Sequence, residues 1–310
     1  PLTAQAMSFD GGNIPVVQLE AGRWKFQRVE VPAGVSGWDV RLKGASGGKP
    51  RLFICRDQLP GLGAGYRDYG WHHWPSGAQL QATTDWTGKG YETGYLRAPE
   101  RAVIGMPLEA GVYYVGVYNE GTEATNYTLD SRGIGAGLTY PVTDLAYAGG
   151  SATINNLAAR EARYFKVTIP ANTPSWELTL TPSAGEMNLI VRKDYLPGFY
   201  PSWDVQMQKA GPERYVMLPP SGEQYVAAGE YYIAVVSEGV NPESNVIGTG
   251  SSSGQLTSVG PLAITQLGTA SAAGSSTPIA LVGGQYKAYQ FTVPVGTASL
   301  EVRLENAVGS

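Results

Sequence analysis

At 310 residues the chain is about twice the roughly 100 to 150 of a common domain, so two or more modules are expected. Only 15% of residues are charged, 41 are Gly and 21 Pro, and 43% are hydrophobic, which describes a turn-rich chain able to bury a core without staples. A net charge of -4 excludes a nucleic-acid binder working through a basic face, the single Cys55 excludes an internal disulfide framework, and two histidines leave little for a metal centre or an imidazole relay.

In chain order, the first predicted strands are Val29-Glu30-Val31-Pro32 and Trp38-Asp39-Val40-Arg41-Leu42, where apolar and polar residues alternate at period two. Arg51-Leu52-Phe53-Ile54-Cys55-Arg56 follows, running into Asp57 and the turn Leu59-Pro60-Gly61. The apolar neighbours of Cys55 mark it as an unreactive strand residue. After a long connection come Pro99-Glu100-Arg101 and the strand Gly111-Val112-Tyr113-Tyr114-Val115-Gly116-Val117, entered through a glycine turn. The nine residues Ala110 to Tyr118 form the longest apolar run, too short to span a bilayer. Pro1 in place of Met leads us to expect a natural N-terminus further upstream.

The same series then returns. Val167-Thr168-Ile169-Pro170 and Trp176-Glu177-Leu178-Thr179-Leu180 match the opening pair, with six positions from proline to tryptophan both times. Asn188-Leu189-Ile190-Val191-Arg192-Lys193 leads to Asp194 and Leu196-Pro197-Gly198, Pro212-Glu213-Arg214 follows, and Gly229-Glu230-Tyr231-Tyr232-Ile233-Ala234-Val235 closes the second copy. A third copy begins with Phe291-Thr292-Val293-Pro294 and Leu300-Glu301-Val302-Arg303-Leu304, at the same spacing. Shared parity predicts that Trp38, Trp176 and Leu300 all face a core. Stretches 248–254 and 270–277, rich in Gly, Ser, Thr and Ala, read as connections between modules.

These patterns predict an all-β chain of tandem antiparallel β-sandwich, jelly-roll-like modules. The expected division is 1–138, a sandwich with an aromatic-rich insertion at about 62–98; 139–260, a second sandwich; and 261–310, the start of a third that lacks a counterpart of the Gly-x-Tyr-Tyr strand and is not expected to fold alone.

The segments Tyr164 to Pro170, Gly185-Glu186-Met187-Asn188-Leu189-Ile190-Val191 and Ala228 to Val235, in this order and spacing, make the chain resemble tandem bacterial pre-peptidase C-terminal domains. The resemblance covers most of two modules and the start of a third. It implies a β-sandwich in a secreted or cell-surface protein, often beside a peptidase domain. Family members often carry Gly-Asp-x-Asp-Leu ahead of the middle strand, whereas Gly185-Glu186-Met187-Asn188-Leu189 and Gly48-Lys49-Pro50-Arg51-Leu52 stand here. No calcium site is therefore carried over to the first module. In the second, Glu186 and Asn188 leave calcium as the lesser reading, with no cofactor as the main one.

Pro32 and Gly111 stand 79 positions apart but Pro170 and Gly229 only 59, so the first module carries an insertion. Its candidate binding residues are Tyr66, Tyr69, Trp71, His72, His73, Trp74, Trp86, Tyr91 and Tyr95, interleaved with six glycines. Such rings either form a satellite core over their own sandwich, meet a neighbouring module or subunit, or stack on a ligand. Adjacent His72 and His73 point apart on an extended segment and make a poor metal pair. Asp57 and Asp194 read as turn caps, and Glu100-Arg101 and Glu213-Arg214 as ion pairs across a turn. Gly133-Ile134-Gly135-Ala136-Gly137 lacks the strand-to-helix setting of a phosphate loop.

No nucleophile with a base, and no acid and base pair, is signalled, so the expected function is non-catalytic: adhesion, spacing or assembly outside a bacterial cell or on its surface. Two alternatives stand beside it, an accessory substrate-targeting or secretion region of a secreted hydrolase, and a subunit of an extracellular filament completed by β-strand addition. The partners expected are neighbouring modules or identical subunits, with an extracellular polymer as a further one, and neither a nucleic acid nor a membrane span.

Overall fold

The computed structural model describes residues 3–62, 79–81, 97–98, 101–104, 108–197, 205–241, 249–305 and 308. The nine aromatic and histidine candidates from Tyr66 to Tyr95 lie outside these residues, as does Glu100.

The first sandwich is built from β1 (Gln5–Ala6), β2 (Gly12–Leu19), β3 (Trp24–Val31), β4 (Gly37–Ser46), β5 (Pro50–Arg56), β6 (Gln79–Gln81), β7 (Arg97–Ala98), β8 (Arg101–Ile104), β9 (Gly111–Asn119) and β10 (Thr125–Ile134). They form two five-stranded sheets, ordered β1-β3-β9-β5-β6 and β2-β10-β4-β8-β7. The second sandwich repeats the plan with β11 (Val142–Leu145), β12 (Gly150–Ala158), β13 (Ala162–Ile169), β14 (Trp176–Ala184), β15 (Glu186–Lys193), β16 (Val205–Met207), β17 (Glu213–Met217), β18 (Gly229–Gly239) and β19 (Ser251–Gly260). Its sheets run β11-β13-β18-β15-β16 and β12-β19-β14-β17. Within both sandwiches the ladders are antiparallel, except that the short opening strand runs parallel to the second long strand, β1 on β3 and β11 on β13.

The period-two alternation decides which residues meet between the sheets. Val29, Trp38, Val40, Leu52, Ile54, Tyr113 and Val115 fill one core, and Val167, Trp176, Leu178, Leu189, Val191, Tyr231 and Ile233 fill the other. Register is kept as well, since Val29 lies opposite Tyr113 and Val167 opposite Tyr231. An indole buried in a sheet core needs an acceptor for its N–H. Both find the same one: Trp38 Nε1 donates to Ser131 Oγ at 2.8 Å and Trp176 Nε1 to Ser258 Oγ at 2.9 Å. Each serine in turn donates to a carbonyl, of Phe9 and of Tyr147, both at 2.6 Å.

Two expectations are corrected. Residues 251–254 are not a connection but the start of β19, paired with β12 and β14. Small residues are needed there for packing, because a Cβ on Gly254 would stand 2.7 Å from the carbonyl oxygen of Thr181. Leu300 is not buried like Trp38 and Trp176. It is 45% exposed and lies outside any strand. The third copy retains β20 (Ile264–Thr269) and β21 (Ala288–Thr292), the same opening parallel pair. Among the described residues this sheet has two strands only, with no counterpart of β9 or β18 beside β21 and no counterpart of the β2-β10-β4 or β12-β19-β14 sheet facing it, so nothing covers the alternating face.

Candidate functional site

A third apolar cluster lies outside both cores. It joins Ile134 and Tyr140, from the end of the first sandwich, to Ala162, Tyr164, Ile190, Leu196, Ala234 and Val236 of the second. Ala162, Tyr164, Ile190, Ala234 and Val236 alternate with the core positions of β13, β15 and β18 and so form the outer face of that sheet, joined by Leu196 from the turn after β15. An outer face of this composition would be an exposed apolar patch if the first sandwich did not cover it.

The covering segment is shaped by the Gly133 to Gly137 run. Gly133 and Tyr140 close it, with Tyr140 N–H donating to Gly133 O at 3.0 Å and Gly135 N–H to Tyr140 O at 2.9 Å. Asp10 holds it from the other side, accepting Gly133 N–H at 2.8 Å and Thr139 N–H at 3.2 Å. The turn thus returns Tyr140 beside Ile134, and the Tyr140 ring meets that of Tyr164 edge-on at 6.3 Å.

A polar clamp seals the rim. Arg41 forks onto Asp39, Nε to Oδ1 at 2.9 Å and Nη2 to Oδ2 at 2.8 Å, and reaches Glu161 of the second sandwich through both Nη1 and Nη2, the latter at 2.8 Å. Its Nη2 also donates to Tyr140 Oη at 2.6 Å, and Arg132 Nη1 donates to the same oxygen at 2.8 Å. Tyr140 Oη donates onward to Glu161 Oε2 at 3.2 Å. Burial by itself would lower the pKa of the Arg41 guanidinium, but its bonds to Glu161 and Asp39 outweigh burial and raise it, so this cation keeps its charge. The side chains of Arg41 and Glu161 are only 11% and 28% exposed, so solvent and salt screen this pair less than an exposed salt bridge.

Sequence reasoning missed this joint. Arg41, Tyr140 and Glu161 lie far apart in the chain, and the repeat marks them only in part: Tyr140 and Glu161 stand where the third copy has Leu262 and Gln285, whereas Arg41 is replaced by Thr179 in the second copy but recurs as Arg303 in the third.

The other candidates have structural roles. Asp57 and Asp194 both adopt left-handed backbone, φ 60° and 68°, and their N–H groups donate to Val112 O and Glu230 O at 2.9 and 2.8 Å, as turn residues at the end of β5 and β15. Glu213 does not pair with its neighbour Arg214. It is buried and accepts the N–H of Lys209, while Arg214 bonds Glu177 at 2.9 Å, because adjacent strand residues point to opposite faces. Cys55 is a buried free thiol whose pKa burial pushes up to about 11. Glu186 accepts Gly211 N–H at 3.0 Å, and Asn188 is fully buried with neither side-chain polar atom hydrogen-bonded. Among the described residues no three His, Cys, Asp or Glu side chains gather as metal ligands, and no helix is long and apolar enough to cross a membrane.

No family model matches the chain, and no curated protein matches it. Solved structures with some likeness include a protein described as secreted from Eubacterium rectale, at 12% identity and TM-score 0.19, covering 76% of this chain and 68% of that one. The CUB1-EGF-CUB2 region of human MASP-1/3 is similar at 8% identity and TM-score 0.20 over 80% of this chain and 98% of that one. The extracellular region of zebrafish Gpr126/Adgrg6 is similar at 9% identity and TM-score 0.20, over 82% and 33%. TM-scores near 0.2 offer no common arrangement from which a role could be transferred.

Proposed function

We propose that the chain is a non-catalytic array of β-sandwich modules, secreted or held at a bacterial surface, that serves adhesion, spacing or assembly. The observation that supports this most is the joint at Arg41, Tyr140 and Glu161. It fixes one sandwich on the next through a buried apolar patch and a hydrogen-bonded ion pair, which is what a protein needs if serial modules are to build length and present loops at set positions. The extracellular placement follows the resemblance to pre-peptidase C-terminal domains, which is itself part of the proposal.

Small-angle scattering of the full chain tests the spacing role. Two bodies at one fixed separation are expected, and freely reorienting bodies would overturn it. Turnover of peptide or glycoside substrates by the purified chain would overturn the non-catalytic reading and favour a hydrolase region instead.

A second reading, assembly by strand addition, draws support from β21. Its edge away from β20 carries no strand among the described residues, where β3 and β13 carry β9 and β18. Ordered polymers in negative-stain images would favour it, and a monomer persisting at high concentration would remove it.

A further inference from the structure

The outer face that receives Tyr140 has a counterpart on the first sandwich, and the two are closed differently. Repeat alignment through Val29 and Val167, Leu52 and Leu189, and Tyr113 and Tyr231 makes Trp24, Phe26, Phe53, Gly116 and Tyr118 equivalent to Ala162, Tyr164, Ile190, Ala234 and Val236. The ladders agree, since Trp24 lies opposite Tyr118 and Ala162 opposite Val236.

On the first sandwich Trp24 lies over its own sheet. Its ring stacks on Phe26 at 5.3 Å and 9°, and meets Phe53 and Tyr118, each at 5.1 Å. The strand beneath is glycine at 116, where a Cβ would stand 2.5 Å from Pro60 Cγ, 3.0 Å from Trp24 Cζ3 and 3.1 Å from Phe26 Cε1, so the Trp24 ring, with Pro60 and Phe26, leaves room there only for glycine. On the second sandwich the strand position of that ring is held by the methyl of Ala162. The volume above Tyr164, Ile190 and Ala234 is filled instead by Tyr140 and Ile134 from the neighbouring sandwich.

We propose that the residue at the first position of the second long strand, Trp24 in one sandwich and Ala162 in the other, determines whether this face is closed by its own ring or receives the neighbouring sandwich. A large ring there occupies the seat and excludes a docking tail, whereas alanine leaves the seat open for an aromatic side chain delivered by the turn after β10. The face of the first sandwich is by this rule closed to such a tail. The proposal stands on the contacts of the two sandwiches and is independent of any adhesive or extracellular role.

The test uses the full chain, with spin labels on Glu20→Cys and Glu223→Cys reporting the separation of the sandwiches and calorimetry reporting their melting. Ala162→Trp is expected to broaden the distance distribution, because two rings compete for one seat. A narrow, unchanged distribution in the folded variant would overturn the proposal. Should Ala162→Trp alone fail to fold, the decision passes to Tyr140→Ala with and without Ala162→Trp. If the seat takes a ring from either source, the double variant melts at least about 4 °C above Tyr140→Ala alone, a shift of the size a single well-packed side chain gives in a domain this large. An equal or lower melt would overturn it. Loss of joint rigidity in Tyr140→Ala together with recovery of melting, but not of rigidity, in the double variant would support it.

Discussion

Arg41 and Glu161, 120 positions apart, face each other across the boundary between the two sandwiches, and Tyr140 bonds to both. The arrangement couples an apolar seat to an ionic rim. Burial of the tail supplies affinity, and the guanidinium fork, which must satisfy Asp39 on one side and Glu161 on the other, fixes orientation.

Replacing Glu161 with Ala removes the clamp from the second sandwich while Asp39 keeps its partner. A loss of about 1.5–3 kcal/mol of coupling between the sandwiches is expected, the range for a hydrogen-bonded charged group. Arg41→Ala should do more, because it removes the two-bond fork on the fully buried Asp39 carboxylate together with the contacts to Glu161 and Tyr140, so it destabilises the first sandwich as well as the joint. Calorimetry separates the two. Glu161→Ala should split the transitions with little change to the first sandwich's own, and an unsplit, unshifted melt in both variants would show that the clamp does not couple the sandwiches.

Trp176→Ala empties the centre of the second core, where the indole meets Tyr231 at 5.5 Å and Tyr215 at 5.6 Å and donates to Ser258. The expected cost is about 3–5 kcal/mol, from lost burial, residual cavity and the lost indole-to-serine hydrogen bond. Trp38→Ala should cost the first sandwich a similar amount, because its contacts with Tyr113 and Ser131 repeat those of Trp176 with Tyr231 and Ser258, and Phe9 at 5.9 Å supplies a second ring as Tyr215 does. A denaturant titration of either variant with an unchanged midpoint would contradict the buried role.

The sandwich plan was legible in the sequence because alternation fixes faces and repetition fixes order. Trp38 and Trp176 were placed correctly by parity alone. Leu300 has the same parity and is exposed, since a pattern states which face is apolar but not whether a second sheet lies over it. Ser251 to Gly254 was misread because Gly and Ser signal linkers by composition, while here they are small for contact with β14. The joint was hidden for a different reason. Arg41 recurs as Arg303 in the third copy and so stands out no more than its neighbours, and a tyrosine after a glycine turn carries no local mark of the arginine it will meet.

Glu213 should give the second sandwich an unusual dependence on pH. Burial pushes its carboxyl pKa up, partly offset by the bond from Lys209 N–H and the Lys209 charge, while Glu186 nearby adds repulsion. A raised native value means that the folded protein holds this proton more tightly than the unfolded chain. Between the ordinary value of 4.5 and the raised one, stability therefore falls as pH rises. Glu213→Gln keeps an acceptor for Lys209 N–H and removes the charge. It should melt higher than the parent at pH 7 and show a flatter profile above pH 4.5, and a lower melt at pH 7 would mean that the ionised form contributes a contact worth more than its burial costs.

Cys55 offers a reading of how tightly the first sandwich is closed. It lies on the outer face of β5 beside Phe53, on the side where Trp24 lies, yet it is buried and its thiol is pushed up to about 11 from an ordinary 9.0. The thiolate is the reactive form, so at pH 8 this shift alone lowers the reactive fraction about 100-fold, and burial restricts access further. Labelling by a disulfide exchange reagent should therefore be at least about 100-fold slower in the native chain than in denaturant. Trp24→Ala uncovers the neighbouring ring and should bring the native rate measurably toward the denatured one without unfolding the core around Trp38. Fast labelling of the unaltered chain would show that the outer face opens readily, and that the ring of Trp24 does not seal it.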